Sequence, residues 1–340
     1  MKLGLHLGYW QRQPIDRFIE LAQRAEELGF HSVYTAEAYG SDCLTPLAAI
    51  AAHTRRIQLC TGVMQISART PVCAATSAMT LDHISNGRLA LGVGVSGPQV
   101  VEGWYGQPFS RPLQRTREWL DIFRKVVARE EEVTYEGAQY QLPYTGPGSL
   151  GLGKPLKSIT HPLRKHIPVY LGAEGPKNVA LAAERFDGWL PIFVSPYRMN
   201  IFEDSLAGRP EEFEINAMVN VSMADRLDDA LLPGKITMAL YLGGMGARGE
   251  NFHKNLIARM GFGEEAEEIQ RHFLAGDQAA AIEAVPDRLV DEISLSGPRE
   301  RIRERLQDWR RTEVTQLLIG HSGEFDQTVA TMEMMAEELL

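Results

Sequence analysis

The sequence predicts an α/β chain folded as a (β/α)8 barrel, with insertions on the face where the strands end. Two observations carry that expectation. Short β-rich runs alternate with amphipathic helical patterns, and eight strand-to-helix units follow one another in series, which favours a barrel over a doubly wound open sheet. Several strand runs are also near-continuously apolar, as parallel strands covered on both faces must be.

The strands read as KLGLHLG (2–8), SVYTAE (32–37), IQLCTGVM (57–64), LALGVGV (89–95), IPVYLGA (167–173), GWLPIFV (188–194), EINAMVNVSM (214–223) and TQLLIG (315–320). In the first helical pattern Phe18, Leu21, Ala22, Ala25 and Leu28 share a face, and Gly29 stands where a glycine ends a helix. Thr-Pro or Gly-Pro opens several later helices, where proline's missing N–H costs nothing. Two stretches break the repeat. Residues 131–166 hold a hairpin pattern, EVTYEGAQYQL, and a Gly/Pro-rich run; residues 224–297 hold helical pieces around LGGMGARGENF. The chain reads as one barrel domain, 1–340, with these two insertions on the strand-to-helix side, as pocket walls or as plain decoration.

At 340 residues, 44% hydrophobic and 23% charged, the chain can bury a large core without a metal or disulfide staple. A formal charge of −9 and the lack of a Lys/Arg cluster argue against nucleic acid, so an anionic ligand must be held by local geometry. Cys43, Cys60 and Cys73 show no C-x-x-C spacing and read as reduced thiols of a cytoplasmic protein. No signal sequence and no apolar run of membrane length is present. H-E-x-x-H, G-x-S-x-G, a Walker loop and a strand-end lysine are all missing, so no metal is expected, and the common hydrolase, kinase and aldolase chemistries lose support.

Gly92, Gly94 and Gly97 spell G-x-G-x-x-G, the spacing of a dinucleotide fingerprint. The motif falls in the fourth unit, and no prompt amphipathic helix is read after Gly97, so Gly92 and Gly94 are better explained as room for a close backbone approach. The phosphate-type site moves to LGAEGPKNVALAAE. There a strand ends at Ala173, Gly175-Pro176 opens a helix toward the barrel mouth, and Lys177 and Asn178 add donors, unless it is a plain turn. Polar residues at strand ends are His6, Glu37, Gln65, Ser96, Glu174, Ser222 and His321, with Tyr9, Trp10, Tyr39, Trp104 and Tyr105 nearby. That inventory suits a flat organic ligand. Each has an ordinary alternative: His6 packed in the barrel, Ser96 bonded to its own backbone, Glu174 complementing a helix dipole. Glu37 is the hardest to explain without a task.

The stretches GFHSVYTAEAYGSDCLTPLAAIAAHT, IQLCTGVMQISARTP, LDHISNGRLALGVGVSGPQVVEGWYG, IPVYLGAEGPKNVALAAERFDGWLP and YLGGMGARGENF together resemble the bacterial luciferase-like superfamily, in its coenzyme F420-dependent oxidoreductase branch. The resemblance implies a TIM barrel, usually a homodimer, with F420 across the carboxyl-terminal mouth and a small organic substrate. It also implies a non-prolyl cis peptide at Gly62-Val63, and cofactor contacts at Thr35, Ala36 and Glu37, at Gly94, Val95 and Ser96, and at Ala173, Glu174, Gly175, Pro176 and Asn178, the last group on the phosphate. Glu37 and His6 are the acid/base candidates, and Trp10, Tyr39 and Trp104 the substrate-pocket candidates. The chain departs from some relatives in reading Glu37-Ala38 where they carry Asp-His, and His6 where some carry Glu. The expected chemistry is hydride transfer between the deazaflavin C5 and a C=O, C=C or C=N bond. The alternatives are an FMN-dependent monooxygenase on the same barrel and a non-catalytic flavin- or deazaflavin-binding protein.

Overall fold

A computed structural model describes residues 1–9, 14–246, 251–320 and 324–340. Among these, eight parallel strands close into a barrel: β1 (Lys2–Gly8), β2 (Ser32–Thr35), β3 (Gln58–Thr61), β4 (Leu89–Gly94), β5 (Val169–Gly172), β6 (Gly188–Leu190), β7 (Glu214–Met223) and β8 (Gln316–Gly320). Each strand pairs with the next, and β8 closes on β1 with Lys2 opposite Gln316 and His6 opposite Gly320. The outer helices are α1 (Ile15–Glu27), α2 (Leu44–His53), α3 (Pro71–Ile84), α4 (Pro112–Ala128), α5 (Pro176–Arg185), α6 (Glu203–Leu206), α7 (Arg299–Arg310) and α8 (Phe325–Leu339). No described helix is long and apolar enough to cross a membrane.

The apolar pattern sets the layers. Phe18, Leu21, Ala22 and Ala25 of α1 are buried against the barrel, and Gly29 takes φ +86° just past the helix end, a conformation glycine adopts without a steric penalty. Pro71 and Pro176 open α3 and α5. A second, smaller cluster fills the lumen with Tyr34, Cys60, Ala90, Tyr170, Leu190 and Leu318. Below it the lumen is polar: Lys2 Nζ pairs with Glu214 Oε1 (2.5 Å), and the Tyr170 hydroxyl donates to Glu214 Oε2 (2.8 Å). Burial pushes the Glu214 carboxyl up, but Lys2, Tyr170 and Asn216 outweigh it and hold it below the usual glutamate range. A carboxylate depressed on folding adds stability above its unfolded value, near pH ~4.3, and loses it as pH falls through the folded value. Glu214→Gln is therefore expected to flatten the acid limb of a plot of melting temperature against pH, and an unchanged limb would refute this.

The structure corrects several boundaries. β3 stops at Thr61, and a two-residue strand, Met64–Gln65, resumes beyond the cis Gly62-Val63 peptide to pair with β4. β6 ends at Leu190 because Pro191 offers no N–H to the ladder. A short helix, Pro98–Gly103, does begin directly after Gly97. A strand at Ser294–Gly297, inside the stretch read as helical, pairs with the outer end of β7. The hairpin read at 132–142 is present as Tyr135–Glu136 against Gln141–Leu142.

The larger correction concerns 131–166. This segment follows α4 and precedes β5, so it is a helix-to-strand connection. Arg164 reaches buried Asp82 and the carbonyl of Leu89, the first residue of β4, at the end opposite the mouth. Only the second insertion shapes the mouth.

Candidate functional site

The strand ends and the 224–297 insertion enclose a cavity of about 1120 Å³. One wall comes from backbone-rich strand ends: Gly62, Val63, Gly94, Val95 and Ser96. The facing wall comes from β7 and the insertion: Met218, Asn220, Tyr241, Phe252 and His253. His6 and Asn216 reach it from inside the barrel, and Ala173 to Asn178 form one end.

Small residues build the first wall. A Cβ on Gly94 would lie 2.8 Å from Val63 Cγ2, and a Cβ on Gly172 would lie 2.9 Å from Val63 Cγ1. The two glycines thus cut the notch that seats Val63. Gly92 sits deeper, with no space for a Cβ between the Thr61 carbonyl and Leu190. The room these glycines provide goes first to protein neighbours. Ser96 closes the wall in a left-handed conformation, φ +59°, uncommon for a residue with a side chain and frequent at functional sites.

Glu37 is buried at the cavity edge, where it accepts from the Gln65 N–H (2.8 Å) and from Arg69 (2.8 Å). Burial pushes its carboxyl up, and Gln65 and Arg69 pull it back only in part, leaving it raised. Arg69 also pairs with Asp42, so the grouping of Glu37, Asp42 and Cys43 already has its counter-charge. His6 donates from Nε2 to the Gly62 carbonyl (2.9 Å). At the far end α5 starts on Gly175 and presents its first turn to the cavity, with Lys177 exposed beside it. Two buried acceptors there, Glu174 Oε2 and Asn178 Oδ1, have no hydrogen-bond partner among the described residues, and Arg259 donates to the Glu174 carbonyl (2.5 Å). Orphan acceptors beside a helix start fit a ligand carrying both hydroxyl donors and an anionic group, which matches the tail of a phosphorylated flavin or deazaflavin.

Of the residues singled out in the sequence, Glu37, His6, Gly62, Val63, Gly94, Val95, Ser96, Ala173, Glu174, Gly175, Pro176, Asn178, Tyr39 and Trp104 all face the cavity, as do Tyr9, Gln65 and Lys177. Thr35 and Ala36 do not. Thr35 spends its hydroxyl on the Cys43 carbonyl (2.7 Å), and the Ala36 N–H donates to Gly8 (3.1 Å), so both stand behind the wall. Ser222 and Tyr105 also lie off the cavity lining. Trp10 and His321 fall outside the described residues. Sequence reading missed Asn216, Met218, Asn220, Tyr241, Phe252 and His253. The first three had a signal, since even positions of EINAMVNVSM share one face of a strand. The last three sit on insertion helices; Tyr241 and Phe252 bound the stretch YLGGMGARGENF, but that pattern does not mark which of its side chains face the mouth.

A family model for luciferase-like monooxygenases matches residues 2–316. A Mycobacterium tuberculosis protein named for coenzyme F420-dependent oxidoreductase activity is 51% identical over 94% of both chains. The 5,10-methylenetetrahydromethanopterin reductase of Archaeoglobus fulgidus is 28% identical over 94% of this chain and 93% of its own. Among solved structures, the coenzyme F420-dependent tetrahydromethanopterin reductase of Methanopyrus kandleri superposes with a TM-score of 0.78 at 23% identity, covering 99% of this chain and 97% of that one, and shares the fold. With barrel, mouth cavity and full-length matches in agreement, the chain belongs to the luciferase-like monooxygenase family.

Proposed function

We propose that the chain is a coenzyme F420-dependent oxidoreductase that moves a hydride between the deazaflavin C5 and an organic substrate carrying a C=O, C=C or C=N bond. The observation that carries this reading is the pairing of two unlike walls across one cavity: a small-residue strand wall suited to a planar ring, and an aromatic and polar insertion wall suited to a substrate. The 51% identity to a relative named for that coenzyme supports it. When bound, the coenzyme supplies the hydride chemistry; the chain supplies position and exclusion of water.

Val63, Gly94, Val95 and Ser96 are assigned to the ring, and the first turn of α5, with Lys177 and Asn178, to the phosphate. Glu37 is a positioning residue here, because Arg69 engages both of its oxygens and the Gln65 N–H one of them. His6 positions the same wall by holding the Gly62 carbonyl. Exposed Tyr39 and Trp104 at the rim favour a planar or apolar substrate. A homodimer belongs to the same proposal and is read by sedimentation.

The test is a fluorescence titration of the purified protein with F420 and with FMN, followed by offering reduced F420 to a panel of ketones, enones and imines. F420 is expected to bind the more tightly and to be reoxidised by members of the panel. Preference for FMN with oxygen consumption would replace this reading with a monooxygenase, and binding of neither would end both.

A further inference from the structure

Helix Phe252–Arg259 of the insertion brings into the cavity a second imidazole, His253, beside the strand-borne His6. His253 Nδ1 is buried and lies 2.6 Å from Glu174 Oε1, an ion-pair contact without the alignment of a hydrogen bond, while the side chain as a whole is 20% exposed. The exposure therefore falls on the opposite edge of the ring, which carries Nε2. Aromatic edges fix the ring's tilt: Tyr241 stands at 4.8 Å and Phe193 at 5.7 Å between centroids, both near perpendicular. Arg259, on the same helix, donates to the Glu174 carbonyl and ties the helix to the start of α5. Among the described residues, the charged and titratable groups around His253 are Glu174, Arg259 and Tyr241; Lys254 turns away to Glu267 (2.7 Å) and Gln270 (2.8 Å). A carboxylate beside one ring nitrogen, with the ring held by aromatic edges and its other nitrogen toward a cavity, is an arrangement that suits general acid–base chemistry.

Resting on the oxidoreductase reading above, we propose that His253 is the proton carrier of the reaction, a role that neither Glu37, held by Arg69, nor His6, held by Gly62, is free to fill. For reduction of a carbonyl or imine, the carbon receives a hydride, and so two electrons, from the reduced coenzyme. The oxygen or nitrogen receives a proton from Nε2 of the imidazolium as the π bond breaks. Neutral imidazole is left with its remaining proton on Nδ1, beside the Glu174 carboxylate, and solvent at the open mouth returns a proton to Nε2. Glu174 is a positioning residue in this scheme.

The experiment compares the parent enzyme with H253Q, H253A and E174Q. Fluorescence titration with F420 is expected to give essentially unchanged affinity for H253Q, because the residue moves a proton and does not hold the coenzyme. Reoxidation of reduced F420 by the acceptor found in the panel is expected to fall about 100-fold in H253Q, and added imidazole to restore part of the rate in H253A. Nitrogen-15 spectra are expected to show a His253 signal with its proton on Nδ1 in the parent, beside that of His53, whose Nδ1 donates to the Ala49 carbonyl (2.8 Å), and only the His253 signal is expected to be lost in E174Q, whether or not an acceptor is present. Failure of the parent to bind F420 would overturn the oxidoreductase reading and this inference with it. An H253Q enzyme as fast as the parent, or an unchanged histidine tautomer in E174Q, would overturn this inference alone.

Discussion

Replacing Gly92 with alanine is expected to cost about 3 kcal/mol of stability or more, a fall in melting temperature of roughly 5 °C or more, with a matching loss of soluble protein. The new Cβ would lie 2.1 Å from the Thr61 carbonyl oxygen and 2.3 Å from Leu190 Cδ1. Leu190 has rotamers to try, but the carbonyl is backbone of the neighbouring strand. That strand cannot yield easily, because the Thr61 hydroxyl donates back to the Gly92 carbonyl (2.7 Å) and locks β3 to β4. Gly94→Ala makes the informative contrast. Its Cβ would meet only the tip of Val63, at 2.8 Å, and that side chain opens on the cavity. Gly94→Ala should hold most of its stability and lose coenzyme affinity. Equal melting temperatures for the two variants would refute the distinction.

The second large effect lies at the other end of the barrel. Asp82 is 1% exposed on α3, and Arg164 meets it through both Nε (3.1 Å) and Nη2 while also donating to the Leu89 carbonyl (2.6 Å). Arg164→Ala strands that carboxylate in the interior, and the expected loss is ~3–5 kcal/mol. Adding Asp82→Asn removes the stranded charge, so the double variant should recover a substantial part of the loss in denaturant unfolding. An Arg164→Ala protein as stable as one with exposed Arg226→Ala would show the pair to be dispensable, and a double variant no better than the single would show that charge is not the cause.

The barrel was legible because parallel strands covered on both sides must be apolar throughout, and runs such as LALGVGV and TQLLIG can hardly be anything else. The residues facing the mouth at Glu37, Gly62 to Val63, Gly94 to Ser96 and Ala173 to Asn178 were legible for a related reason: strand ends are where polar and glycine residues interrupt an apolar run. Thr35 and Ala36 were not separable from Glu37 in this way, because the strand ends at Thr35 and beyond it strand alternation no longer tells which side chain turns to the mouth. Boundaries failed where geometry broke the ladder, at Gly62-Val63 and at Pro191. The placement of 131–166 failed because composition shows that a segment is irregular but not which end of the barrel it crosses. Tyr241 and His253 stayed hidden, since helix sequences inside an insertion record their own periodicity and not the direction in which the insertion folds back.

The two walls of the mouth have separate origins in the chain, one distributed over the ends of β3, β4 and β5, the other supplied largely by a single continuous stretch from 224 to 297. Continuity makes that stretch a cassette. Exchanged whole between relatives, it carries Tyr241, Phe252 and His253 across together while leaving the strand-borne wall as it was. Two contacts cross the seam to Glu174, the bond from Arg259 to its carbonyl and the pairing of His253 with its carboxylate, so a graft that keeps both inherits the recipient's registration along with the donor's selectivity.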